Sequence, residues 1–390
     1  MTPPSWLAFS TVLLTACAAP AAAQETVGDV IGFLVTNQAV VTSDAARDRA
    51  AAEAARSTIS NALLFNLASV PLASSSTGFL YRFNSEIGTM ERASESFGSF
   101  FVERALTAGR GHASFAVSAS TSGFDGLNGA NLRDGSFVTV ANKFRDESTP
   151  FDTETLTLRV RSSTMTLFGS VGLTDRLEIG AAVPLVDLTV EGERQNQYFD
   201  DPFLQASGKA SASGVADIAV RAKYGVAASR SAAFALAAEV RLPTGDSDNL
   251  LGAGSTAYRF LGIGSYETGR VAVSGNAGLV FGGVSNEMIF GSAGSFAASP
   301  RVTVTGELLV RHVTDLQDTA LVSAPHPTII GVDTLRLSTT GAGMTLANAV
   351  AGIKWNVSGT LVLGGHVVIP LAHRGLTAPL TPTVALEYRF

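Results

Sequence analysis

The chain is poor in what most soluble enzymes and most membrane helices depend on. It has one cysteine in 390 residues, Cys17, which lies within the first 23, so a chain cut after them offers no thiol for a disulfide, for catalysis or for a cysteine metal site. Only 15% of its residues are charged, and the net charge of −6 is made of both signs mixed along the chain, so no basic stripe is present to hold nucleic acid. Beyond the first 23 residues it also lacks unbroken apolar runs of membrane-helix length, about 20 residues. The best candidate, Trp355 to His373, has no Asp, Glu, Lys or Arg but is interrupted by Asn356, Ser358, Gly359, Gly364, Gly365, His366 and Pro370, which suit two strands and a turn. A mean hydropathy of +0.27 with 39 glycines is too apolar for a disordered chain and too glycine-rich for a helical one.

The first segment is of a different kind. Trp6 to Ala16 is an uncharged, mainly apolar run ending near Ala21-Ala22-Ala23, which predicts a secretory signal peptide over residues 1–23, although no Lys or Arg precedes the run. A second cut stays open, because Leu14-Thr15-Ala16-Cys17 has the form of a lipoprotein signal with Cys17 as the lipidated residue.

What the rest contains is alternation. In Ala216 to Val226 the even positions Ala216, Ile218, Val220, Ala222, Tyr224 and Val226 are apolar or aromatic, while Asp217, Arg221 and Lys223 fall between them. Phe234, Leu236, Ala238, Val240 and Leu242 alternate with Glu239 and Arg241. Val302, Val304, Gly306, Leu308 and Val310 alternate with Arg301, Thr303, Thr305, Glu307 and Arg311. At the end, Pro382, Val384, Leu386, Tyr388 and Phe390 alternate with Thr383, Glu387 and Arg389. Side chains on a strand point to opposite faces in turn, so these segments have one face for lipid and one for a polar interior, which helical spacing cannot give.

Counting back from Phe390 gives strands near 381–390, 360–371, 342–356, 301–312, 288–297, 270–282, 257–267, 232–243, 214–228, 176–191, 153–174 and 111–121. Brief connections at 174–175, 228–231, 268–269, 298–300 and 357–359 alternate with mostly longer ones, which include 122–152, 192–213, 244–256 and 313–341. Short turns at one end and long connections at the other separate an outer-membrane barrel from a soluble sandwich. The expected fold is therefore all-β, an antiparallel up-and-down transmembrane barrel of about twelve strands within a range of ten to fourteen, occupying residues 111–390 of a bacterial outer-membrane protein. A shift of apolar phase at Ser162-Ser163 predicts a β-bulge there. The expected partners are outer-membrane lipid and lipopolysaccharide, a small-molecule solute, and the barrel-assembly machinery, which would read Tyr388 and Phe390 on the last strand.

Residues 24–110 read differently. Ser43 to Leu67 is alanine-rich, carries Asp44, Arg47, Asp48, Arg49, Glu53 and Arg56 at helical spacing, and has an N-cap candidate in Ser43 or Asp44. Two arrangements fit it: a periplasmic helix, or a plug folded into the barrel together with residues 78–106. Glu25-Thr26-Val27 has the look of a TonB-contact motif, but energised receptors use a far larger plug and about 22 strands.

Candidate chemistry is thin, and neither an enzyme nor a cofactor is expected. The inward faces of the predicted strands carry Arg159, Arg161, Glu178, Asp217, Arg221, Lys223, Glu239, Arg241, Arg301, Glu307 and Arg311, with Lys354, Glu387 and Arg389. Charges of both signs on neighbouring strands either brace a narrow barrel or line a wet path, and bracing is the expectation for most of them. Of the five histidines, His112 beside Ser114 and His366 within its strand are the starting points for a hydrolase, and polar lumen positions are the simpler reading. Asp246, Asp248 and Asn249 lack the following glycine and glutamate of a calcium loop.

Three stretches carry a resemblance. Phe97-Gly98-Ser99-Phe100-Phe101-Val102-Glu103-Arg104-Ala105-Leu106 is one. Gly172-Leu173-Thr174-Asp175-Arg176-Leu177-Glu178-Ile179-Gly180-Ala181 is the second. Arg241-Leu242-Pro243-Thr244-Gly245-Asp246, followed by Asn249-Leu250-Leu251-Gly252, is the third. From about residue 95 to its end the chain resembles the outer-membrane family named for the MetA pathway of phenol degradation. The resemblance implies a transporter barrel passing small hydrophobic or aromatic molecules, with no catalytic residues to carry over. A surface protein that binds a partner through long external loops is the alternative.

Overall fold

A computed structural model describes residues 25–35, 45–68, 81–84, 89–92, 95–316, 318–341 and 343–390. The expected signal segment with Cys17, and the N-cap candidates Ser43 and Asp44, lie outside the described residues.

Twelve antiparallel strands form a closed barrel: β1 (Ala113–Phe124), β2 (Asp152–Gly172), β3 (Leu177–Tyr198), β4 (Ala219–Ala228), β5 (Ala232–Arg241), β6 (Ala257–Thr268), β7 (Val271–Gly282), β8 (Glu287–Ser299), β9 (Val302–Val313), β10 (Met344–Asn356), β11 (Leu361–Pro370) and β12 (Thr381–Arg389). Each pairs with its sequence neighbours, and β12 closes on β1 through Thr383↔Ser120 to Arg389↔Ser114. Phe390 N then donates to Ala113 O at 2.9 Å, so the last residue seals the seam. Closure satisfies every barrel strand on both edges, which a lipid environment demands.

The alternation explains the wall. Val220, Tyr224, Leu236, Phe260, Phe290, Leu308 and Val384 are exposed on the outside, where lipid covers them. Phe115, Phe234, Tyr266, Phe296, Trp355, Tyr388 and Phe390 ring the end that carries the short turns, the periplasmic end in barrels of this type. Thr174 holds the first of those turns, its hydroxyl accepting from Arg176 N and Leu177 N.

At the other end the long connections are largely strand. Val138–Phe144 pairs with the start of β2, Val332–Thr340 pairs with Val138–Phe144 and with Asp318–Pro325, and Asp201–Val215 pairs with the outer half of β3. The sheet therefore continues well past the membrane on this side, and the expectation of loops there is corrected. The β-bulge expected at Ser162-Ser163 is absent: β2 keeps unbroken register with both β1 and β3 through these residues. The phase of the apolar residues changes because the surroundings change. Below Ser162 the outward side chains meet lipid; above it Leu156, Leu158 and Val160 are buried inward, and the exposed outward positions include Arg159 and Arg161.

Two helices fill that outer mouth. Helix α1 (Val27–Val35) sets Val27, Val30, Ile31 and Leu34 against Leu156, Leu158, Val190 and Leu251 in the largest apolar cluster among the described residues. Its start is held by a local cap, Thr26 N and Oγ1 donating to Asp29 Oδ2. The approach is close enough that a Cβ at Gly192 would meet Leu34 and Leu158 at 2.6 and 2.7 Å. Helix α2 (Ala45–Ala68) buries Ile59, Leu63 and Phe65. Phe65 reaches into the mouth, where the Arg311 guanidinium lies 4.0 Å from its ring centre.

Candidate functional site: a lumen crossed by the chain itself

Below the helices, the segment from Glu95 to His112 crosses the barrel interior with no regular structure, which is tolerated at membrane depth only inside protein. It starts near the periplasmic end, where Arg270 Nε lies 3.8 Å from Glu95 Oε2 and Phe97 N donates to Thr303 Oγ1. It leaves at the same end, where Gly111 N donates to Gly172 O. Irregular backbone has no partners of its own, so the wall must supply them.

Charged and polar side chains of the wall do so. The Glu307 carboxylate accepts from three consecutive backbone amides, Phe100, Phe101 and Val102, the last at 2.9 Å. Lys354 Nζ donates to Ser99 O at 2.8 Å. Glu103 pairs with Arg221 and with Lys223, which also lies 3.6 Å from Glu178. Glu178 accepts from Ala108 N at 2.7 Å, Ser265 accepts from Ala105 N, and Arg389 donates to Ala108 O. Buried charges without partners would cost several kcal/mol each, and these find them on the segment. Apolar contacts fit between: Val102 against Ala293, Leu309 and Val350, and Ala105 against Ala235, Ala237 and Ile263.

Phe100 occupies a built slot. Its ring would collide with a Cβ at Gly352 (2.5 Å) or Gly364 (3.0 Å), so two adjacent strands give up side chains to admit it. The ring centre lies 4.2 Å from that of His366 and 4.4 Å from Lys354 Nζ.

Nearer the mouth a second set braces the wall. Arg241 and Arg259 both reach Glu239, at 3.1 and 3.5 Å, and Arg311 holds Glu287 through two bonds of 2.8 Å. Asp217 accepts from Gly245 N and Ala253 N, so it organises the loop after β5. That loop holds α1: Gly28 N donates to Asp248 O and Val27 N to Asn249 Oδ1. Asp246 accepts from Asn249 Nδ2 and from the amides of Asp248 and Asn249, which holds its carboxyl below the usual aspartate value, the Asn249 side chain contributing most.

Between the crossing segment and the mouth lies a cavity of about 230 Å³. Phe100, Phe101 and Phe168 line it together with hydroxyls of β1, β2 and β12, among them Ser118, Ser120, Thr164, Thr166 and Thr383.

Of the residues expected on the inner face, Glu178, Asp217, Arg221, Lys223, Glu239, Arg241, Glu307 and Arg311 project inward and are buried or nearly so. Three do not. Arg159 and Arg161 stand on the outer face above the membrane, Arg159 within 3.8 Å of an exposed Glu191. Arg301 is exposed in the turn before β9, beyond the strand whose alternation suggested it. His112 sits at the periplasmic start of β1, and the Ser114 hydroxyl lies 2.9 Å from that of Ser170. Sequence reasoning passed over Thr303, Ser265 and Phe100 as contacts of the crossing segment. Their signal was the Phe97–Leu106 stretch itself, an apolar, glycine- and charge-containing run that fits neither a lipid-facing strand nor a helix.

No curated protein matches the chain. Among solved structures it is similar to the COG4313 outer membrane channel from Pseudomonas putida F1, at 13% identity and TM-score 0.46 over 73% of this chain and 98% of that one. It is similar also to the toluene transporter TbuX of Ralstonia pickettii, at 11% identity and TM-score 0.31 over 72% and 90%. The translocator domain of the autotransporter NalP from Neisseria meningitidis stands at 12%, 0.38, 72% and 89%. Residues 133–324, from the external strand before β2 into the external hairpin after β9, match the family described as "Putative MetA-pathway of phenol degradation", the family that the sequence resembles.

Proposed function

We propose that the protein is a passive outer-membrane channel for small molecules, closed in this structure, with residues 95–112 as its internal gate. The observation that carries this reading is how the crossing segment is held. Its contacts are made mostly by side chains of a barrel that is already complete, so the segment can leave the lumen without breaking a single strand pairing. The cavity beside it is of solute size: roughly 150 Å³ suffices for benzene, against about 230 Å³ here. The family description ties such barrels to phenol breakdown, which supports small aromatic solutes as the cargo.

Removing the main restraints on the gate tests this. In proteoliposomes the Glu307→Gln/Lys354→Met variant is expected to raise the flux of small uncharged aromatic solutes at least tenfold over wild type, since each lost charged hydrogen bond weakens the closed state by about 1.5–3 kcal/mol. Flux at the lipid background in both proteins overturns the proposal. The surface-protein reading has its own support in the exposed Tyr198, Phe199, Phe203 and Leu204 at the far tip of the external sheet. Unchanged flux in Tyr198→Ser/Phe199→Ser/Phe203→Ser/Leu204→Ser, with loss of adhesion to a partner surface, would favour it.

A further inference from the structure

His366 presents an unusual combination. The residue is buried, its ring lies tilted by 40° against Phe100 and meets Phe101 edge-on at 5.0 Å, and neither of its nitrogens has a hydrogen-bond partner among the described residues. A neutral imidazole carries one donor and one acceptor, and leaving both unused in a buried site costs free energy. The rest of the slot is specific for an aromatic ring. Gly352 and Gly364 clear its width, Lys354 faces its π-surface as a cation, and the tilted His366 ring packs against it. Phe100 fills the shape of this slot and leaves its hydrogen-bonding capacity idle. The cavity reaches Phe100, Phe101 and His366, so a solute in it stands next to the slot.

We infer that the slot is a ligand-exchange site at which a small aromatic molecule carrying one hydrogen-bonding group, an arene alcohol or amine, displaces Phe100, pairs with His366 and so releases the gate. The inference rests on the channel reading and deepens it: the cargo opens its own path. A ring without such a group matches Phe100 and gains nothing over it. The incoming hydroxyl or amine regains the bond that Phe100 cannot make, which is worth about tenfold in affinity. His366 is then the specificity-determining residue, and Phe100 is the chain's own stand-in for the ligand.

The test compares 4-fluorophenol with fluorobenzene on the full-length protein in nanodiscs, using backbone hydrogen exchange over residues 97–108 and ¹⁹F-detected binding. In wild type, 4-fluorophenol is expected to speed exchange at Phe100 to Val102 at least tenfold and fluorobenzene less than threefold. His366→Phe, which keeps a ring in place, should abolish the difference. Phe100→Leu, which leaves His366 intact and removes the competing ring, should tighten 4-fluorophenol binding about tenfold. Equal effects of the two probes in wild type, a preference that persists in His366→Phe, or unchanged affinity in Phe100→Leu each overturn the inference. Flux of 4-fluorophenol without faster exchange overturns ligand exchange and leaves the channel standing. Faster exchange without flux supports the site and overturns the channel.

Discussion

The two halves of β2 and β3 solve opposite problems with one backbone. In the lower half the strands put Thr164, Thr166 and Ser170 inside and Met165 outside, because lipid surrounds them. In the upper half the same β2 puts Leu156, Leu158 and Val160 inside against α1, with Arg159 and Arg161 outside in water. Register is unbroken between them. Strand alternation therefore reports which face is dry, and a reversal of its phase marks the membrane boundary as readily as it marks a bulge.

The comparison breaks most visibly under a charge placed on the dry face of the upper half. Leu158→Asp buries an unpaired carboxylate against Leu34 and is expected to cost about 3 kcal/mol or more. The readout is release of the N-terminal segment to limited proteolysis of the folded barrel. Arg161→Asp, on the wet face of the same strand, should stay within about 0.5 kcal/mol. Equal sensitivity of the two variants would mean that the upper interior is not a core.

A smaller effect sharpens the contrast at the loop that anchors α1. The Asp246 carboxyl is held below its usual value by Asn249, so its contribution is complete above the ordinary aspartate pKa of about 3.9 and is lost only as pH falls through the lowered value. Protection of α1 from exchange should stay flat between about pH 8 and pH 5 and decline below about pH 4. In Asp246→Asn that acid-side decline should shrink to the part contributed by Asp29, whose carboxyl is likewise held below its usual value by the Thr26 cap. A decline centred near neutral pH would point to another group.

Much of the barrel was legible because its signal is repetitive. Twelve strands and the short-turn end follow from period-two alternation counted back from Phe390, and the strand centres agree with those observed. The external sheet was not legible, since Val138–Phe144, Asp201–Val215 and Asp318–Pro325 lie outside the membrane and need no lipid-facing face. The same limit misplaced Arg159 and Arg161. The site was legible as a set of charges but not as a purpose. Glu307, Lys223 and Glu178 alternate correctly into the lumen, yet what they hold is backbone from about 70 to 205 residues earlier, and no local pattern encodes that pairing.

Gating by residues 95–112 is the central claim, and a reversible lock tests it most directly. Ala105 packs on Ala235, and the expected mature chain has no cysteine, so Ala105→Cys/Ala235→Cys introduces one potential disulfide between gate and wall. In the Glu307→Gln/Lys354→Met background, proteoliposome flux of a small aromatic solute should fall to the lipid background on oxidation and recover on reduction. Full flux through the oxidised, cross-linked protein would show that solutes pass with the segment in place, and would contradict its role as the gate.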